Sequence, residues 1–141
     1  MLSDKDNGYS ALRRGRVSQP GAIYFVTTTS AARRPFFSEW EVARAVCAQH
    51  VARNAFLDAE ALAWVLMPDH WHGLIALNSE ASLSEVMQHF KARSARTVNR
   101  LMTRSGAVWQ DGFHDRALRQ DDDLRAAARY LIANPIRAGL A

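Results

Sequence analysis

At 141 residues, with 48% hydrophobic and 23% charged side chains, the chain has the length and balance of one globular domain and is too short for two comfortable ones. Basic residues outnumber acidic ones 18 to 14, giving +4, and 16 of the 18 are arginine, whose planar fork matches phosphate oxygens, so the surplus leans toward a nucleic-acid partner. The single cysteine, Cys47, excludes an internal disulfide framework and a cysteine-based zinc site, and no run approaches the length that spans a bilayer, so a cytoplasmic protein that avoids membranes is expected.

Residues 1–20 are polar, with Gly8, Gly15 and Pro20 and a basic cluster of Arg13, Arg14 and Arg16. They read as an irregular lead-in whose arginines either touch phosphate or are simply solvated. Ile23 to Thr29 is rich in β-branched and aromatic residues and predicts a strand, which Ala31 to Pro35 breaks. Ser38 and Glu41 stand three apart as in a capping box, and Trp40, Ala43, Val46, Cys47 and Val51 recur at helical spacing, so a helix is expected from about Glu39 to about Asn54.

Ala61 to Met67 and Gly73 to Leu77 predict two strands joined through Pro68-Asp69 as an antiparallel hairpin, with His70 and His72 at the start of the second. Ser82 and Glu85 form a second capping box before a helix with Leu83, Val86, Met87, Phe90, Ser94, Val98 and Leu101 on one side, stopped at Gly106. On the flank of that stripe Arg93, Arg96, Arg100 and Arg104 fall within an arc of about 80°. With no acid between Lys91 and Arg104, this is either a solvated helix face or a track for a phosphate backbone.

Gly112 to Arg119 reads as a further strand, and Asp121-Asp122-Asp123 starts a last helix with Leu124, Ala127, Ala128 and Leu131 on its apolar face, closed at Asn134-Pro135. The order is strand, helix, strand, strand, helix, strand and an extra helix. That is the split β-α-β order of ferredoxin-like α+β domains: an antiparallel sheet with two helices on one face, plus a C-terminal helix. One domain, residues 1–141, is expected.

His70 and His72 carry the chemistry. In a strand, residues two apart project to the same face, so two imidazoles stand side by side and can hold adjacent corners of a metal's coordination sphere. A short histidine pair also arises by chance, and the pair alone decides nothing. On the last helix Tyr130 and Asn134 are four apart and share a face. A tyrosine can act as a nucleophile and an amide oxygen can ligate a hard cation, yet Tyr130 could equally cap the core and Asn134 end the helix.

Met67-Pro68-Asp69-His70-Trp71-His72, with Tyr130-Leu131-Ile132-Ala133-Asn134-Pro135-Ile136-Arg137-Ala138-Gly139-Leu140 at the other end, resembles the HUH motif and tyrosine helix of single-tyrosine transposases. The chain is most similar to REP-associated tyrosine transposases, with Tyr24 to Thr28 and Trp109 to Arg116 as further family-like stretches. The resemblance implies that His70, His72 and Asn134 ligate magnesium or manganese and that Tyr130 is the catalytic nucleophile. It implies site-specific cleavage and joining of single-stranded DNA at a REP-type hairpin through a 5′-phosphotyrosine intermediate.

Arg93, Arg96, Arg100 and Arg104, and more weakly Arg13, Arg14 and Arg16, are then candidates for DNA contact, and His114 for a place near the site. Insertion-sequence relatives exchange tyrosine helices between two subunits, whereas the REP-associated type implies a monomer, with a dimer as the alternative, located with the nucleoid. Members usually continue past the Ala-Gly-Leu stretch into a tail with a Pro-Trp-like segment, which residues 1–141 do not include. Two other readings stay open: a non-catalytic hairpin-binding regulator, and a metal-dependent hydrolase using the same histidines.

Overall fold

The β-branched and aromatic run near the start forms β1 (Ile23–Thr29), in which Tyr24, Val26 and Thr28 are buried and the residues between them are only half-buried. A computed structural model describes the backbone of residues 22–52, 55–57, 59–78, 82–119 and 121–137, with their side chains except those of 121, 122 and 134–137. The lead-in and its arginines, Arg13, Arg14 and Arg16, lie outside the described residues. After β1 come two short 3-10 turns, Ala31–Arg33 and Phe36–Ser38, and then α1 (Trp40–His50).

The expected capping box at Ser38 does not form. Ser38 belongs to the second 3-10 turn, and Glu39 stands at the N-cap without a side-chain hydrogen bond. The helix also ends sooner than expected, at His50, where the imidazole turns back to hydrogen-bond the Val46 carbonyl.

β2 (Ala59–Met67) and β3 (His70–Leu77) form the expected hairpin around Pro68-Asp69, and β3 starts at His70 itself. Ala61 pairs with Ile75 and Ala63 with Leu74, so Leu62 is an extra residue, a bulge that switches the facing of β2. Ala59 and Ala61 pack with one core, Ala63 and Val65 with the other.

α2 (Leu83–Leu101) opens on a complete capping box. The Ser82 hydroxyl accepts from the Glu85 backbone N–H, and the Glu85 carboxylate accepts from the Ser82 N–H. It stops three residues before the expected glycine, at a left-handed Thr103 (φ 50°): the Thr103 N–H reaches the Arg100 carbonyl and the Arg104 N–H the Asn99 carbonyl. β4 (His114–Leu118) and α3 (Asp121–Arg137) complete the chain. α3 runs through Pro135 rather than closing there, because a proline in the last turn forfeits only one backbone bond of a helix already held by its apolar face.

The sheet order is β2-β3-β1-β4 and every neighbouring pair is antiparallel, the split β-α-β topology. On one face Tyr24, Val26, Trp71, Ile75 and Leu77 pack against Val42 and Val46 of α1 and Val86, Met87, Phe90 and Val98 of α2. On the other, Leu74, Phe25, Ala63, Val65 and Leu118 pack against Leu124, Ala127, Ala128 and Leu131 of α3. The alternation of β3 therefore sends Trp71 into the two-helix core and His70 and His72 to the face where α3 lies.

Candidate active site

Register sets the site's rows. Thr27 of β1 lies between His72 of β3 and His114 of β4, and His72 also pairs with Val65 of β2. In the next row Phe25 lies between Leu74 and Arg116. Side chains of directly paired residues share a face, so His70, His72, His114 and Arg116 all belong to the surface on which α3 rests.

The two imidazoles meet with ring centroids 4.7 Å apart. His70 Nδ1 is 2.8 Å from the Asp69 carboxylate, whose other oxygen accepts from Arg33 Nε at 3.0 Å. His72 Nδ1 is 2.7 Å from the Thr27 hydroxyl. Each ring thus has Nδ1 engaged and Nε2 remaining, the arrangement in which a carboxylate or hydroxyl orients a metal-binding histidine.

Burial, followed by the charge of His70, pushes His72 down to about 4, so it is neutral at physiological pH, the form a metal requires. Burial alone would raise the Asp69 carboxyl. The hydrogen bonds and charges of His70 and Arg33 outweigh it and hold the group below its ordinary value. Among the described residues no group of three or more His, Cys, Asp or Glu could hold a metal, so there the imidazole pair could offer two donors.

Trp71, fully buried, anchors this strand from behind. Its indole lies over Gly73, where a Cβ would stand 2.1 Å from the Trp71 ring, so only glycine admits that packing. Its Nε1–H donates to His50 Nε2 at 2.9 Å.

Tyr130 comes to the histidines from α3. Ala127 and Leu131, each 3% exposed, fix the helix on Leu74, and Tyr130 sits on the flank of that stripe, 43% exposed. Its ring centroid is 5.6 Å from His72 and 6.0 Å from Phe25, edge-on to both, while Phe25 stacks on His72 at 5.6 Å. An exposed phenol beside the neutral imidazole of His72 can deliver an oxygen nucleophile to an electrophile held there.

Residues 19–134 match the family described as Transposase IS200 like. The chain belongs to the IS200-like transposase family. Solved structures that share its fold include two transposase structures. A REP-associated tyrosine transposase bound to a REP hairpin superposes with TM-score 0.68 at 21% identity, covering 89% of this chain and 73% of the other. A Deinococcus radiodurans R1 protein assigned as a transposase gives 0.59 at 20% identity, covering 85% and 95%. No curated protein sequence matches the chain.

In this IS200-like transposase the structure brings His70, His72 and Tyr130 together. Asn134 follows Tyr130 by one turn of the same helix, with its side chain outside the described ones. His114 stands on the histidine surface two strands from His72. The α2 arginines belong to the helix layer across the sheet: Arg96 and Arg100 are exposed, and Arg93 borders a cleft with Gln49, His50 and Phe56. Arg104 is committed locally, to Asn99 Oδ1 and to the Phe36 ring at 4.7 Å.

Sequence reasoning missed Thr27, Asp69 and His50 as supports of the histidine strand. The adjacency of Asp69 and His70 was a usable signal; the other two depend on pairing and packing. It also missed Phe25 and Arg116, whose alternation in their strands was visible but whose register was not.

Proposed function

We propose that this transposase is a site-specific single-stranded DNA endonuclease and strand transferase acting on REP-type hairpins, with Tyr130 as nucleophile. The observation that carries the reading is the contact of the Tyr130 and His72 rings on a sheet surface that also holds His70. The family match supports the reaction class, and the fold neighbour bound to a REP hairpin supports the substrate class.

Transposases of this family are generally metal-dependent. His70 and His72, with Asn134 as third ligand, would hold magnesium or manganese, and such an ion, when bound, supplies positive charge beside a non-bridging oxygen of the scissile phosphate. Tyr130 oxygen bonds to phosphorus as the bond to the 3′ oxygen breaks. The phenol proton passes to water, which reaches the exposed ring, and the 3′ oxygen takes a proton to leave as a hydroxyl. The 5′-phosphotyrosine keeps the phosphodiester's energy, so attack by a 3′-hydroxyl reverses the step and joins strands.

The contact of Tyr130 and His72 within one chain supports the monomer reading, with a dimer as the alternative. Arg93, Arg96, Arg100 and Arg104, with Arg13, Arg14 and Arg16, remain candidates for DNA backbone contact. No helix among the described residues is long and apolar enough to cross a membrane, and the proposed DNA substrate would bring the protein to the nucleoid.

The test is a labelled single-stranded REP hairpin oligonucleotide incubated with protein and manganese and run on a denaturing gel. A covalent adduct that disappears in Tyr130→Phe is the expected result. Absence of adduct and nicking across several REP hairpins, with folded and manganese-loaded protein, overturns the reading.

A further inference from the structure

β4 is the edge strand of the sheet beside β1, and its alternation splits it between two environments. Ala117 packs with the two-helix core, while Leu118 packs under α3. Arg116 pairs with Phe25, which puts its side chain on the histidine surface, and it is exposed. Its guanidinium carbon stands 5.6 Å from the Phe25 ring centroid. The same ring touches His72 and Tyr130. One phenyl group thus has around it the imidazole proposed as a ligand, the phenol proposed as nucleophile, and a guanidinium.

We infer that Arg116 is a DNA contact, its guanidinium on Phe25 taking a backbone phosphate of the single strand adjacent to the one that reaches Tyr130. The inference rests on the proposed function and names a residue that its ligand and nucleophile assignments leave out. Among the described residues Arg116 makes no ion pair, so its charge is available to an external anion. Contact with an aromatic ring restrains the guanidinium and leaves N–H groups at its edge directed outward, where a phosphate accepts two of them. The α2 arginines act from the opposite layer, beyond a sheet and its helix packing of about 10 Å, and cannot serve a strand lying along α3 in the same way. Lysine would keep the charge but lose the planar fork.

The test uses fluorescence anisotropy with a labelled REP-type hairpin carrying a single-stranded flank, in EDTA so that binding is read without cleavage. Arg116→Ala is expected to weaken binding roughly tenfold and to lower the salt slope by about 0.7, the value for one phosphate contact on a single strand. Arg116→Lys recovers the salt slope and only part of the affinity. Melting temperatures of both variants check that the sheet edge remains intact, and Arg116→Lys carries the test if Arg116→Ala does not fold.

Wild-type binding with unchanged affinity and slope in Arg116→Ala overturns the inference and leaves the proposed function standing. Absence of wild-type binding overturns both. Arg116-dependent binding by a wild-type protein that forms no adduct with manganese supports the inference and overturns the transesterification reading.

Discussion

The Trp71 indole N–H donates to His50 Nε2 at 2.9 Å, tying the middle residue of the His-Trp-His strand to the end of α1. His50 Nδ1–H is used as well, donating to the Val46 carbonyl at 2.9 Å, and its ring stacks on Trp64 at 3.9 Å. Both ring nitrogens are therefore assigned and the imidazole is held in one neutral form. His50→Phe keeps the ring but leaves the buried indole N–H without an acceptor, a loss of about 1–3 kcal/mol. Urea unfolding measures it, and a loss under about 0.5 kcal/mol would show that this hydrogen bond carries no weight.

The same burial gives a pH dependence. Desolvation, partly opposed by the Val46 hydrogen bond, lowers His50 to about 4 from an ordinary 6.5. Between those values the unfolded chain takes up a proton that the folded chain refuses, so stability falls as pH falls from 6.5 toward 4 and is flat above 6.5 from this source. Each such histidine contributes a slope of roughly 1.4 kcal/mol per pH unit. His72, also lowered to about 4, acts with the same sign. In metal-free protein between pH 5 and 6.5, His50→Phe should therefore halve the slope of unfolding free energy against pH; an unchanged slope refutes the assignment of His50.

Periodicity made the architecture legible. The stripe Leu124, Ala127, Ala128 and Leu131, the alternation through β3 and the capping box at Ser82 are local patterns that the packed chain respects. The facing of His70 and His72 opposite Trp71 follows from the same alternation, so the pair was legible before its surroundings were. What surrounds it was not. Thr27 reaches His72 across 45 positions and Arg33 reaches Asp69 across 36, contacts set by strand register, which no local pattern encodes. The ends of α1 and α3 depart from the local pattern because a side chain, His50, closes one, and because a proline in the last turn of the other forfeits only one backbone bond.

Gly73 is the residue on which Trp71 rests. An added methyl would stand 2.1, 2.6 and 2.8 Å from three atoms of that indole, in a core where Trp71 and Ile75 are fully buried. Neither the ring nor the central strand can withdraw without breaking the His50 bond or the sheet pairing. Gly73→Ala is expected to destabilise by about 1–3 kcal/mol, the range for overpacking a tight core. Thermal melts and near-ultraviolet circular dichroism check this, and a variant as stable as the wild type with an unchanged tryptophan signal would contradict it.

Asp69 and His70 form a hydrogen-bonded pair: the carboxylate accepts from His70 Nδ1–H at 2.8 Å, which turns Nε2 away from it, and Arg33 holds the carboxylate in turn. If His70 is a metal ligand, Asp69→Ala should weaken manganese binding by 10–100-fold, the usual effect of removing a residue that orients a ligating histidine. Arg33→Ala should weaken it less. Electron paramagnetic resonance titration of free manganese reads both without substrate, and equal affinity in Asp69→Ala and wild type would refute this role.

Arg96 and Arg100 separate the two faces of the molecule. Both are exposed on α2, across the sheet from Tyr130, so under the proposed function any phosphates they meet would belong to a part of the DNA away from the strand at Tyr130. A hairpin stem, as a stiff duplex, could extend past the domain edge to that face, whereas a short single-stranded flank held beside α3 would not reach it. Replacing both with alanine should weaken binding of the complete hairpin and lower its salt slope by about 1.8, the value for two duplex phosphate contacts, while leaving binding of the isolated flank unchanged. Anisotropy titrations at several salt concentrations with the two oligonucleotides make the comparison. Equal losses on hairpin and flank would mean that these arginines reach the cleavage strand after all, and no loss on either would return them to an ordinary solvated helix face.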